Sequence, residues 1–144
     1  MKNFEPQSKN FRENIIESFK KQSFLSFIGA KLVNIAPGKI GIEIYNNKNL
    51  HQQEGFFHGG ITTTIADVSM GYAALSLSKD NTEVLTTEFK INLLKPAVGE
   101  KLIARAEVIK YGKLLKVCQS SVYCVSEKNH EELCAFVTGT MYVI

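Results

Sequence analysis

No apolar run in this 144-residue chain reaches the ~18 residues that a helix needs to cross a bilayer. The opening stretch, MKNFEPQSKNFREN, has no apolar core and does not read as a secretory signal peptide. Cys118, Cys124 and Cys134 are odd in number and form no C-x-x-C pair. They lie in or beside apolar, strand-like stretches, which argues against a disulfide framework. Three buried free thiols in a reducing compartment are expected instead, hence a cytoplasmic protein. No basic run stands out, and the lysines from Lys90 to Lys116 are spread singly. A net charge of +3 is far short of a nucleic-acid signature, so no nucleic-acid partner and no membrane partner are expected. His51, His58 and His130 share no metal-ligand spacing, and no Cys or Asp completes one, so no metal and no separate cofactor is expected. There is no repeat, linker or low-complexity tract, and 1–144 reads as a single domain.

What is present reads as an α+β pattern. In segment 1–22, SKNFRENIIESFKKQ places Phe11, Ile15, Ile16 and Phe19 on one side of an amphipathic helix that Ser8 is placed to cap. AKLVNIA and KIGIEIY flank the turn PGK and read as a hairpin, with Ile40, Ile42 and Ile44 on one face. A polar loop, NNKNLHQQEG, leads into a long apolar helix that SKDNTE ends. Four strand-like segments follow: EVLTTEFKINLL, EKLIARAEVIKY, KLLKVCQSSVYCVS and ELCAFVTGTMYVI. The short breaks between them favour antiparallel neighbours. A helix apolar on most sides needs cover on most sides, so a curved antiparallel sheet of about six strands wrapped around it is the economical assembly.

The central helix carries a single acid. Ile61, Ile65, Val68, Tyr72 and Leu75 form one apolar stripe, assigned to the sheet. Gly60, Thr63, Thr64, Asp67, Gly71 and Ala74 form a second stripe of small residues, whose only charge is Asp67. Two readings stand side by side: a solvated helix acid, or a carboxylate with a role. No ionisable residue sits three or four positions away to pair with it, and a lone carboxylate on such a face tends toward a raised pKa and function. At the helix start, Gly59 and Gly60 expose amide N–H groups where the dipole is positive, which suits a carbonyl becoming an oxyanion. The alternative is a tight loop-to-helix turn. Gly60 and Asp67 are seven residues apart, about 10 Å along a helix. If both act on one bond, they come from different chains of a two-fold dimer.

These residues resemble a known family. GFFHGGITTTIADVSMGYAAL, then LTTEFKINLLKPAVGEKLIARAEVIKYGKLLKV and CAFVTGTMYV, look like the hotdog-fold acyl-CoA thioesterases of the PaaI-like group, over about residues 25 to 143. The resemblance implies a curved antiparallel sheet around a long helix, a homodimer often paired into a homotetramer, and metal-free hydrolysis of an acyl-CoA thioester to free acid and coenzyme A. Asp67 matches the catalytic carboxylate, acting as general base or nucleophile. Gly59 matches the backbone N–H that polarises the carbonyl, Gln52 the side chain that helps bind it, and Thr86 the hydroxyl that positions water. His58, Gly60, Gln53 and Thr87 fall beside these as substrate-binding positions, His58 as a structural or carbonyl-adjacent residue. Lys110, Lys113 and Lys116 are candidate phosphate contacts, although each also reads as a solvated lysine. Phe56, Phe57, Met70, Tyr72 and Leu93 line either an acyl pocket or the core. Two rivals are a non-catalytic acyl-CoA-binding hotdog module and a hotdog dehydratase or hydratase. A second N-terminal helix, as a DNA-binding segment would need, is not expected.

Overall fold

Alternation sets the first hairpin. Ile40, Ile42 and Ile44 are all buried on β2 (Lys39–Tyr45), which pairs antiparallel with β1 (Lys31–Ala36). Pro37 and Gly38 make the turn, and Gly38 has φ 71°, a value glycine adopts without strain. The computed structural model describes residues 3–144. Its remaining elements are α1 (Phe11–Lys21), α2 (Ser23–Ile28), a 3-10 turn at Lys48–Leu50, α3 (Gly59–Leu75), β3 (Val84–Leu93), β4 (Lys101–Tyr111), β5 (Leu115–Val125) and β6 (Glu131–Val143). One six-stranded antiparallel sheet runs β1-β2-β4-β5-β6-β3, and α3 packs against β2 through β6. This is the hotdog architecture, a helix held inside a curved sheet.

The expectation that short breaks join paired neighbours holds for β1–β2, β4–β5 and β5–β6 and fails for β3–β4. β3 pairs with β6, three strands away from β4. The seven residues between them reach ~23 Å when extended, and three strand spacings need ~14 Å. A break that looks like a hairpin loop is therefore long enough to cross the end of the sheet, and its Ala97 is buried on the way.

The buried face of α3 also differs from the stripe assigned to it. Ile61, Thr62, Ile65, Ala66, Ser69, Met70 and Ala73 are buried, whereas Val68 and Leu75 are only half-buried. A tightly curved sheet comes so close that small residues pack best. Ser69 meets Ser120 of β5 at 3.0 Å, and a Cβ on Gly139 would lie 3.1 Å from the Met70 methyl. Val68, Tyr72 and Leu75 turn instead toward α1. Among them, Tyr72 stacks obliquely on Phe19 at 5.9 Å.

Two N-terminal expectations are corrected. Ser8 does not cap α1, whose N-cap is Asn10 without a side-chain bond. The Ser8 hydroxyl is buried, donating to Asp80 at 2.5 Å and accepting from the Asn10 N–H. A second helix, α2, does follow α1, ended by Gly29 in the left-handed region at φ 78°. Its six residues are too few for apolar periodicity to announce it. Lys116 is no solvated lysine and no phosphate contact: it is 1% exposed, its ammonium donating to the Ser78 hydroxyl.

Candidate active site

The start of α3 is built by the loop before it. His51 bridges Phe57, the Gln52 N–H donates to Phe56 O, and Leu50 and Phe57 anchor the loop in the core. His58 is the N-cap, and its Nδ1 accepts from the Gly60 N–H at 2.9 Å. That bond fixes the first turn and uses the Gly60 donor. It also occupies the Nδ1 lone pair, so this nitrogen is not available as a base. The Ile61 and Thr62 amides both return to His58 O. Among the described residues, the Gly59 N–H donates to nothing. It is the open donor at the positive end of the helix. Gln52 Oε1 accepts from the Glu54 N–H, which leaves the Gln52 amide hydrogens without a partner among the described residues, and Gln53 is exposed beside it.

A second cluster lies two turns further on. Asp67 is half-buried, and its Oδ1 accepts from the Thr86 hydroxyl at 2.7 Å. The Thr63 and Thr64 hydroxyls donate to Gly59 O and Gly60 O in the preceding turn and do not reach it. Partial burial raises the Asp67 carboxyl above its ordinary 3.8, outweighing the Thr86 hydrogen bond that lowers it. The group is thereby a stronger base than a solvated aspartate.

A β-bulge aims Thr86. The β3–β6 register shifts between Thr86 and Glu88, so Thr87 is the extra residue, and its hydroxyl turns away to donate to Thr140 O at 2.9 Å. Thr86 pairs with buried Met141, Phe89 with buried Gly139 and Leu93 with buried Ala135. The bulge therefore keeps Thr86, Phe89 and Leu93 all on the concave face, which the period of two would not otherwise allow.

One protomer thus holds two separate groups. Gln52, Gln53, His58, Gly59 and Gly60 gather at the helix start, while Asp67 and Thr86 meet at its middle. Gly59 and Asp67 are eight residues apart, about 12 Å along the axis. Thr87 faces its own sheet and joins neither group. Of the five candidate acyl-pocket residues, Phe57, Met70 and Tyr72 are buried in the core, Phe56 is half-buried and Leu93 is exposed.

A groove that the sequence did not announce joins Asp67 to α1. It encloses about 530 Å³ between α1, α3 and the start of β3, and Asp67, Thr86, Gly71, Tyr72, Phe11 and Gln22 are among its walls. That volume is in the range of small-molecule sites. The available signal was slight: Ser18 lies on α1, and Gln22 is the residue that ends it. Among the described residues no group of His, Cys, Asp or Glu gathers as a metal site, and no helix is long and apolar enough to cross a membrane.

Comparison with known proteins agrees with this chemistry. The Thioesterase superfamily profile matches residues 54–128, just over half of the chain, from the loop before α3 to the end of β5. A thioesterase family protein from Silicibacter pomeroyi superposes with a TM-score of 0.90 at 36% identity, covering 93% of this chain and 98% of that one. Human acyl-coenzyme A thioesterase 13 is 30% identical over 110 residues, 75% of this chain and 78% of that protein. The Escherichia coli PaaI protein, at 19% identity, shares the fold with a TM-score of 0.83 over 96% of each chain. A carboxylate raised by burial, an unpaired amide at a helix start and a family match spanning both lead to one statement: the chain belongs to the Thioesterase superfamily and is a hotdog-fold thioester hydrolase.

Proposed function

We propose that the protein hydrolyses acyl-CoA thioesters to free acid and coenzyme A at a site shared by two protomers. One observation carries the reading. Early on β3, Thr86 bonds Asp67; late on β3, Leu93 lies against Gly59, where an added Cβ would meet its methyl at 3.3 Å. Suppose the exposed β3 edge pairs antiparallel with its copy about a two-fold axis near Phe89. Early β3 of one protomer then lies beside late β3 of the other. That brings Asp67 to Gly59 of the partner subunit, closing the ~12 Å gap that one helix cannot close. A dimer of dimers is compatible with this arrangement. The cytoplasm is the proposed location, in keeping with three buried free cysteines.

In the proposed reaction the thioester carbonyl oxygen accepts from the Gly59 N–H, assisted by the free Gln52 amide. Asp67 removes a proton from a water that the Thr86 oxygen helps to hold, and the water oxygen attacks the carbonyl carbon. The C–S bond then breaks and coenzyme A leaves as a thiolate, a good leaving group that needs no strong acid. Direct attack by Asp67, forming an anhydride that water opens, is the other route compatible with the same groups. The helix-start donor contributes about 3 kcal/mol, roughly a hundredfold in rate. His58 serves by shaping the turn that leaves the Gly59 amide open.

Asp67→Asn keeps the shape and removes the charge. Thiol release is expected to fall by at least about a hundredfold while the dimer persists. Undiminished turnover would remove Asp67 from the chemistry, and stoichiometric acyl-CoA binding with no thiol release by the unmodified protein would indicate the binding-module alternative.

A further inference from the structure

We propose that His51 is a positioning residue for the carbonyl-binding turn: its Nε2–H, bonded to Asn46, fixes the limb that carries Gln52 beside the Gly59 amide. The inference rests on the reading that Gln52 and Gly59 polarise the thioester carbonyl. It adds a residue that acts on the reaction only through them.

Residues 51–57 form a small hairpin. His51 bridges Phe57, the Gln52 N–H donates to Phe56 O, and the Gly55 N–H returns to Gln52 O. One limb carries Gln52, and the other runs into His58 and Gly59. The second limb is tied by backbone: the Phe57 N–H donates to Ala97 O at 2.9 Å and the His58 N–H to Leu50 O at 2.8 Å. The first limb depends on a ring. Next to buried Leu50, the His51 Nε2 lies 2.7 Å from Asn46 Oδ1, and the same ring meets Phe57 edge-on at 5.8 Å.

Asn46 decides which atom donates. Its Nδ2 donates to Gly99 O at 2.6 Å, and a carbonyl only accepts, so Oδ1 is the atom turned to His51. The imidazole therefore carries a proton on Nε2. Asn46 is itself anchored, its N–H donating to Glu100 O at 2.8 Å while the Glu100 N–H donates to Val125 O of β5. Gly99 lies so close to β5 that an added Cβ would stand 2.5 Å from Val125 O. A chain of contacts thus runs from the sheet through Gly99, Asn46 and His51 to the residue next to Gln52. Asn46 is exposed, so water replaces the His51 bond at small cost to the fold. Water does not replace the direction that the bond imposes, and donors to a developing oxyanion lose their effect when displaced by about an ångström.

The experiment separates the donor from the ring. His51→Phe keeps a ring against Phe57 and loses the proton, whereas His51→Gln keeps an N–H at the place of Nε2 and loses the ring. Thiol release is measured with hexanoyl-, palmitoyl- and benzoyl-CoA, and the thioester turned over fastest is carried forward. His51→Phe is expected to lower kcat about tenfold, with KM within about twofold and Tm within about 2 °C. His51→Gln is expected to restore kcat to within about threefold of the unmodified protein. In an Asn46→Ala background, His51→Phe is expected to cost nothing further, since the pair acts as one unit. An unchanged kcat in His51→Phe would overturn the proposal and leave the thioesterase reading standing. Equal losses in both His51 variants would also overturn it, by assigning the effect to ring packing. So would a change confined to KM, or full additivity with Asn46→Ala. No thiol release from any of the three thioesters by the unmodified protein would remove the thioesterase reading and this inference together.

Discussion

The two edges of the sheet are built differently. β1 is short, with six residues, and its register shifts between Leu32 and Asn34. Arg12 of α1 reaches it and donates to Ile35 O at 2.6 Å. Such devices keep a sheet edge from recruiting another strand. β3 is ten residues long and exposed along most of its length. Leu85, Phe89 and Leu93 are 54%, 39% and 59% exposed. A long, bare, apolar edge is unstable against pairing. The contrast teaches that the chain protects one edge and leaves the other ready for a partner, and the ready edge is the one carrying Thr86 and Leu93.

Matched substitutions on the two edges test the contrast most severely. Phe89→Lys places a charge in the middle of β3, whereas Val33→Lys places one on β1, where Val33 is 45% exposed. The β3 change is expected to convert the proposed dimer to monomer in sedimentation. It should also cut thiol release by about a hundredfold or more, because in the proposed shared site Gly59 of the partner subunit would withdraw from the carbonyl. The β1 change is expected to leave both assembly and turnover within twofold. A dimeric, active Phe89→Lys protein would end the shared-site reading, since neither cluster reaches the other within one chain.

A smaller effect is expected from Thr86→Val, which keeps the edge and removes only the hydrogen bond to Asp67. Thiol release should fall by about tenfold, one good hydrogen bond. The pH profile gives the sharper reading. Burial already holds the carboxyl above 3.8, and the Thr86 bond opposes that shift. Removing it raises the carboxyl further. In the proposed mechanism the ionised form is the working base, so the acid limb of kcat/KM should move to higher pH in the variant. An unchanged limb would mean that Thr86 does not set the charge state of Asp67.

The contrast between the edges also explains what the sequence could and could not convey. Elements with their own period were legible: the isoleucine alternation of β2, the four long strands and the apolar helix 59–75. Asp67 stood out because nothing nearby pairs with it. Features that depend on partners in space were hidden. Whether β3 lies beside β4 or beside β6 depends on a crossing that a seven-residue break permits but does not announce. The helix face assigned to the sheet held at Ile61 and Ile65 and failed at Val68 and Leu75, because large side chains were favoured, yet the curved sheet accepts Ala66, Ser69 and Ala73. Which of two adjacent threonines meets the acid is settled by a bulge, and a bulge leaves no periodic trace. The groove needs α1 laid across α3, a packing that neither helix encodes by itself.

The smallest expected effect lies away from both edges, on the central strand β5. Lys116 is buried with its ammonium on Ser78 and 5.0 Å from the Tyr111 ring, and no carboxylate among the described residues bonds to it. Burial lowers its pKa from 10.5. In the unfolded chain the group keeps its proton to near that ordinary value. Between the lowered folded value and 10.5 the unfolded state binds more protons, so stability rises with pH across that window. Below the window both states are charged and the desolvation cost is carried in full. Lys116→Met fills the same space, loses the Ser78 bond and removes that cost, for a net gain of about 1 kcal/mol at neutral pH. In a domain of this size that raises Tm by about 3 °C. Thermal melts from neutral to alkaline pH should show the unmodified protein gaining on the variant as pH rises, with oligomeric state and turnover the same in both. A variant less stable at every pH would show that the buried ammonium is a net support of the fold, held by the Ser78 oxygen and the Tyr111 ring more strongly than water held it.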